Sequence, residues 1–299
     1  MIFALKSKSS AAPKPWIIER LVSLTADDHV AHLSSQLSAF ASILLIHLAS
    51  RDMVRYLEGQ PSWRLWLALG FGLCFAASFF PAYRRFAYYG ATAIATLKLV
   101  AVFPLNSNHS MVELVCILLI AMAYRPDGAN LAVLSQSLRW LPILVFFFSG
   151  LQKMMMGTYF DGSFLAFSAA SDTDFQAAFQ WMLPEAEFAR LQAIKPPGPY
   201  LFELMYPVVL SNLVYIGEIV VAGLLLMKRT RLVGLIGSMV MIVGIELVAK
   251  ELFFGVLFAN LVLLYAPRDW SKPALPWCCA LYAVLLAVTA GLLPEFKFN

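Results

Sequence analysis

The sequence predicts an all-α, polytopic membrane bundle of about nine transmembrane helices, with eight as the alternative count. Three observations carry that expectation. Of 299 residues, 61% are hydrophobic and only 13% charged, with a mean hydropathy of +0.74. Soluble domains carry about 25% charged residues, so most of this chain must face lipid or its own helices. Nine apolar runs approach the ~20 residues a helix needs to cross the hydrocarbon core. The few ionisable residues inside those runs also collect toward one end of them.

In chain order, residues 1–33 read as a cytoplasmic segment. Its start is mixed (Lys6, Lys8, Pro13, Lys14, Pro15), without the continuous apolar core or small-residue site of a cleavable signal. The stretch PWIIERLVSLTADDHVAHL places Trp16, Ile17, Leu21 and Leu24 at helical spacing among charges, the pattern of an interfacial helix. Thr25 with Asp28 three residues on resembles a capping pair that starts the next helix. The transmembrane domain covers 34–292, with spans expected at 36–57, 64–80, 86–104, 110–124, 138–156, 207–227, 232–250, 252–266 and 274–292. The seventh and eighth are separated only by Lys250-Glu251, hence the alternative count. A short tail, 293–299, follows.

One long connection, 157–206, lies between the fifth and sixth spans. Its amphipathic pieces, 163–170 and 174–193, precede a Pro-Pro-Gly-Pro turn, and Phe175, Phe179, Trp181 and Phe188 suit a membrane interface. Loops this long inside a compact domain are usually functional. Orientation follows from basic residues in the loops. The Lys228-Arg229-Thr230-Arg231 turn is the firmest part of a bias that puts the N-terminus in the cytoplasm and the C-terminus and long loop outside.

Composition also excludes some functions. The net charge of +4 is small and its basic residues are scattered, so no nucleic-acid footprint is expected. Cys74, Cys116, Cys278 and Cys279 all lie in apolar runs and read as small packing residues rather than redox or metal ligands. His29 and His32 are too few for a metal site, and Met154 to Met156 lack soft-metal partners, so no metal is expected.

Ionisable residues within spans carry the functional information, because an isolated charge there costs roughly 2.5–3.5 kcal/mol on insertion scales. Lys98 lies toward the outer end of the third span. His109 opens the fourth, with Glu113 four residues on and on the same face. Lys153 lies in the outer part of the fifth, and Glu246 with Lys250 in the seventh, while Glu218 is deeper in the sixth. Polar groups in lipid must pair or line a wet cavity, so their shared depth predicts a polar chamber beneath the long loop. A desolvated lysine there can serve as a base. The plainer alternatives are that Lys98 and Lys153 snorkel to the headgroups and that Glu246 and Lys250 form a structural pair.

Two of these stretches resemble a known family. NSNHSMVELVCILLIAM resembles the Asn-His-Ser motif that opens a membrane helix in vitamin K-dependent γ-glutamyl carboxylase and its bacterial relatives, the HTTM (horizontally transferred transmembrane) proteins. FFFSGLQKMMMGTYFDG is similar to that family's aromatic, small residue, Gly, apolar, x, Lys pattern before an acidic-Gly turn. GEIVVAGLLLMKRTRLVGLIGSMVMIVGIELV is like its helix, basic turn, helix unit, and the likeness covers roughly residues 16–270.

The resemblance implies that Lys153 is the base that deprotonates a reduced, vitamin K-type quinone. It implies that His109 assists and that Asn108 stabilises oxyanions. Glu113, Lys98 and Glu246 are expected to line the cofactor's chamber. It further implies a lyase-type, carboxylase-like activity on an exported peptide or protein at the outer face of a bacterial inner membrane. The chain departs from the animal enzyme in having Gln152 where that enzyme has another lysine, and in ending seven residues after the last span. The alternative is a non-catalytic membrane subunit or assembly factor that binds a lipid, quinone or partner helix in the same cavity.

Overall fold

A computed structural model describes residues 26–104, 107–124, 130–249, 251–266 and 274–292. The described residues are helical with short connections, so the all-α expectation holds. Each expected span is a helix: α1 (Ala26–Leu57), α2 (Trp63–Ser78), α3 (Pro81–Val102), α4 (Ser107–Ala123) and α5 (Leu131–Met156), then α9 (Met205–Leu226), α10 (Arg231–Ala249), α11 (Leu252–Leu263) and α12 (Ala274–Thr289). The interfacial helix expected near Trp16, the Thr25 cap, Lys250 and the 293–299 tail lie outside the described residues.

Among the described residues, four helices are long and apolar enough to cross a membrane: Leu33–Leu57 of α1, α5, α9 and α10. The others fall short for identifiable reasons. α2, α4, α11 and α12 are apolar but have at most 17 residues, which at 1.5 Å per residue falls short of a ~30 Å hydrocarbon core. α3 has 22 residues but carries Arg84, Arg85 and Lys98. By length and composition the described helices thus support four spans rather than the expected nine. Apolar side chains cover much of the outer surface, with Leu73, Phe86, Val100 and Trp277 each more than 70% exposed. Lipid-facing positions have this composition.

Successive helices pack as neighbours: α1 on α2, α2 on α3, α3 on α4, α9 on α10 and α10 on α11. The element nearest the middle is α1, which also touches α4, α5, α11 and α12. It buries Leu37, Leu44, Leu45 and Leu48 almost completely. Small residues set the closest approaches, as expected where lipid gives helices no hydrophobic drive to associate. A Cβ on Gly150 of α5 would lie 2.8 Å from the Tyr215 carbonyl oxygen and 3.2 Å from the Glu218 Cβ of α9. The glycine of the SGLQK stretch thus brings α5 onto the backbone that carries Glu218, one turn before Lys153.

The long connection folds into three short helices: α6 (Ser163–Ser171), α7 (Thr173–Met182) and α8 (Glu185–Ala193). The second expected piece is split at Leu183-Pro184, because proline cannot continue a helix but suits its start. Gly157 ends α5 at φ 77°, and Gly162 precedes α6 at φ 75°, both in the left-handed region that favours glycine. Between them, the Asp161 carboxylate accepts from the Ser163 amide at 2.9 Å, which holds its carboxyl below the usual range. Leu165, Ala166, Ala169, Phe179, Leu183 and Leu191 form a small core of their own, and α7 rests on α10.

Candidate active-site cavity and a buried ionic network

The cavity that contains Lys153 forms between α4, α5, α9, α10 and α11 and has a volume of about 490 Å³. Phe146, Phe148, Ile242, Ile245, Phe254 and Phe258 supply apolar walls. Lys153, Ser149, Gln152, Glu218, Glu246, Glu251, Asn108 and His109 supply the polar groups. Of the six residues expected at the site, Lys153, His109, Asn108 and Glu246 line this cavity. Lys98 and Glu113 do not.

Lys153 Nζ donates to Glu218 Oε1 and, at 3.1 Å, to Ser149 Oγ one turn earlier on α5. It also lies 5.7 Å from the centre of the Tyr159 ring. Glu218 is 3% exposed and Lys153 20%, so the lysine reaches into the cavity while its partner sits in the wall. The second Glu218 oxygen, Oε2, is buried with no hydrogen-bond partner among the described residues. Snorkelling therefore does not describe Lys153, whose ammonium turns inward to a carboxylate.

His109 stacks on Phe254 with centroids 4.1 Å apart and planes 12° from parallel, and its Nε2 lies 3.4 Å from Glu251 Oε2. Asn108, His109, Glu251 and Phe254 also border a second cavity of about 750 Å³, so they stand between the two spaces. This larger cavity is the one that the 157–206 segment covers, through Asp172, Asp174 and Phe175. No residue of 157–206 lines the Lys153 cavity, whereas a single chamber beneath that loop was expected. Glu246 packs its carboxylate onto Gly255 of α11, where an added Cβ would lie 2.3 Å from Oε1.

Lys98 and Glu113 belong to a buried network whose Arg51 and Arg64 border the larger cavity. Glu113 Oε1 meets His47 Nε2 at 3.0 Å and Arg51 Nη1, and its Oε2 accepts from Lys98 Nζ at 3.1 Å. Lys98 also pairs with Asp52 Oδ2 at 2.9 Å, and Arg64 donates to Asp52 Oδ1 at 2.8 Å. His47 Nδ1 completes the chain with the Tyr282 hydroxyl at 2.9 Å. The His109 and Glu113 side chains, one helical turn apart, thus serve different environments.

The sequence reading missed His47, Arg51, Asp52, Arg64 and Tyr282. Arg51 and Arg64 resembled loop charges at span ends. The available signal was the i, i+4 spacing of His47 and Arg51 on one face of an otherwise apolar helix. Among the described residues, no group of three or more His, Cys, Asp or Glu is arranged to hold a metal ion.

No family model, curated protein or solved structure matches the chain.

Proposed function

We propose that this chain is a polytopic membrane enzyme that binds a reduced quinone in the Lys153 cavity. In this reading it acts in a carboxylase-like manner on an exported peptide or protein at the outer face. The observation that carries the reading is one apolar-walled cavity with the Lys153–Glu218 pair on one side and His109 with Asn108 on another. The residues fit such a group. A volume of about 490 Å³ lies in the range of small-molecule sites, the phenylalanines suit aromatic rings, and the polar groups suit ring oxygens.

When bound, a hydroquinone supplies, through reaction with dioxygen, the strong base that this chemistry requires. The chain's own contribution is proton handling. The Lys153–Glu218 ion pair and its neutral tautomer, amine plus carboxylic acid, differ by one proton moved along their hydrogen bond. With a hydroquinone bound, the amine of the neutral tautomer would take a phenolic proton. Lys153, as an ammonium, would then stabilise the negative charge left on the ring oxygen. Asn108 offers a side-chain amide to the same oxygen or its counterpart, and the Glu251 contact with Phe254 stacking hold the His109 ring.

In this reading the nine apolar helices all span, the shorter ones by locally thinning the bilayer. The N-terminus is cytoplasmic, the C-terminus lies outside, and the membrane is a bacterial inner membrane.

The test is hydroquinone-dependent dioxygen consumption by purified protein in nanodiscs. Lys153→Ala should lower it by about 10²-fold or more, the usual weight of a general base, with membrane insertion unchanged. Equal consumption by the variant would sink the mechanism. A second reading, a non-catalytic membrane subunit, is favoured by one observation: Lys153 already has Glu218 and Ser149 as partners. Quinone binding without dioxygen consumption, together with a copurifying membrane partner, would select it.

A further inference from the structure

The end of the bundle opposite the Lys153 cavity is built differently. Its described charged side chains are Arg84, Arg85, Arg139, Lys228, Arg229 and Arg231, with no described Asp or Glu side chain among them. Two of these guanidiniums are fastened in place. Arg139, near the start of α5, donates from Nε at 2.8 Å and from Nη2 at 2.6 Å to the Leu264 carbonyl at the end of α11. The Tyr265 hydroxyl donates in return to the Arg139 carbonyl. Arg231, the first residue of α10, donates from Nε to the Leu225 carbonyl of α9 at 3.4 Å. Both guanidiniums lie against the Tyr265 ring, 5.6 and 5.8 Å from its centre.

Four helices therefore hold two like charges on one aromatic ring. Elsewhere in the bundle the inward cations are neutralised: Arg51 and Lys98 by Glu113, Arg64 by Asp52 and Lys153 by Glu218. Arg139 and Arg231 meet only carbonyls and the ring, with no carboxylate partner among the described residues. Each guanidinium has five N–H donors, and the carbonyls use a minority of them. Phosphate oxygens match that remaining fork geometry. The surroundings favour a lipid as the source. Exposed Trp140, Val133, Leu226, Leu232 and Val233 provide an apolar surface beside the charges, and tryptophan is an interfacial residue.

We propose that Arg139, Arg231 and Tyr265 form a binding site for the phosphate of an anionic lipid headgroup. Lys228 and Arg229, exposed on the preceding turn, add longer-range attraction. This site is independent of any chemistry at Lys153.

The experiment uses the full chain in nanodiscs of phosphatidylcholine alone or with half replaced by phosphatidylglycerol, reading thermal stability and lipid retention by native mass spectrometry. The expected result is a higher Tm and retained phosphatidylglycerol for the wild-type chain. Arg231→Gln should weaken retention by about tenfold, the weight of a charged hydrogen bond. It is the primary variant, because Arg139 also secures α11. The Lys228→Gln/Arg229→Gln chain should retain more lipid than Arg231→Gln. An equal or greater loss in that double variant would overturn the site in favour of diffuse surface attraction. Equal behaviour in the two lipid mixtures would overturn it outright. Protection by inorganic phosphate in phosphatidylcholine, matching that of phosphatidylglycerol, would overturn the lipid as the source.

Discussion

Two ionic clusters inside this bundle are built on different plans. Around Glu113 and Asp52, three cations and a histidine surround two carboxylates, and His47, Asp52, Lys98 and Glu113 are each no more than 2% exposed. Around Lys153, one ammonium faces one carboxylate at the wall of a cavity, and a Glu218 oxygen is left without a partner. The first cluster buries its carboxylates and its lysine, meets the larger cavity through Arg51 and Arg64, and fixes α1, α2, α3, α4 and α12 to one another. The second presents its lysine to a cavity, which a ligand-handling group requires. Residue type alone does not separate the two. Exposure of the lysine does, at 2% against 20%.

Breaking the Glu113 cluster should produce the largest effect on folding. Glu113→Ala leaves Arg51 and His47 without their carboxylate and Lys98 with Asp52 alone, and removal of one partner from a buried ionic group costs about 3–5 kcal/mol. Loss of folded protein, followed by fluorescence-detected size exclusion and thermal melting, checks this. A Tm near that of the wild-type chain would show that the network contributes little to holding the helices.

Gly150→Ala addresses the Lys153 cluster through its backbone. The new methyl would meet Ile219 and the Tyr215 carbonyl at 2.8 Å, so α5 and α9 must separate. Overpacking of this kind costs about 1–3 kcal/mol. Ligand binding at Lys153 should weaken along with stability, whereas Glu113→Ala variants that still fold should keep it. A matched assay of both variants shows whether the clusters are separate.

A third ion pair, in the 157–206 segment, sets a more exposed reference. Arg190 donates to both Glu187 oxygens at 2.8 and 2.9 Å, and the Glu203 amide donates to Oε1 at 2.9 Å. The guanidinium bonds come first in holding the Glu187 carboxyl below its ordinary value near 4.5. A carboxylate depressed in the folded state stabilises it at pH above the unfolded value, and that contribution is lost as pH falls through the folded one. Amide protection factors in α8, corrected for the intrinsic exchange rate at each pH, should therefore hold between pH 7 and 5 and fall at more acid pH. Glu187→Gln should flatten that acid limb. This is the smallest of the expected effects, since Arg190 is about a third exposed and solvent screens the pair.

Much of the fold was legible because hydropathy reports burial from water, and each apolar run became one helix. Helix length was less so, since α11 is only twelve residues long although its apolar run continues to Ala266. Lys153, His109, Asn108 and Glu246 were legible as polar residues in apolar helices, and the structure brings them to one cavity. The partner of Lys153 was not, because Glu218 is 65 residues away and the close α5–α9 approach at Gly150 appears only in three dimensions. The division between cavity and network was also hidden. His109 and Glu113 share a helical face, yet a single turn of α4 carries one to the cavity wall and the other into the buried network.

The most direct test compares binding of a short-chain naphthohydroquinone to the wild-type chain, Lys153→Met and Gln36→Met in nanodiscs, with Tm measured on the same samples. Gln36 lies at the far end, donating to the Leu264 carbonyl, and serves as the control for a lost buried polar contact. Binding by the wild-type and Gln36→Met chains, with about a tenfold or greater loss in a folded Lys153→Met chain, is the predicted result. Undiminished binding by folded Lys153→Met protein would contradict the assignment of the Lys153 cluster as the working site.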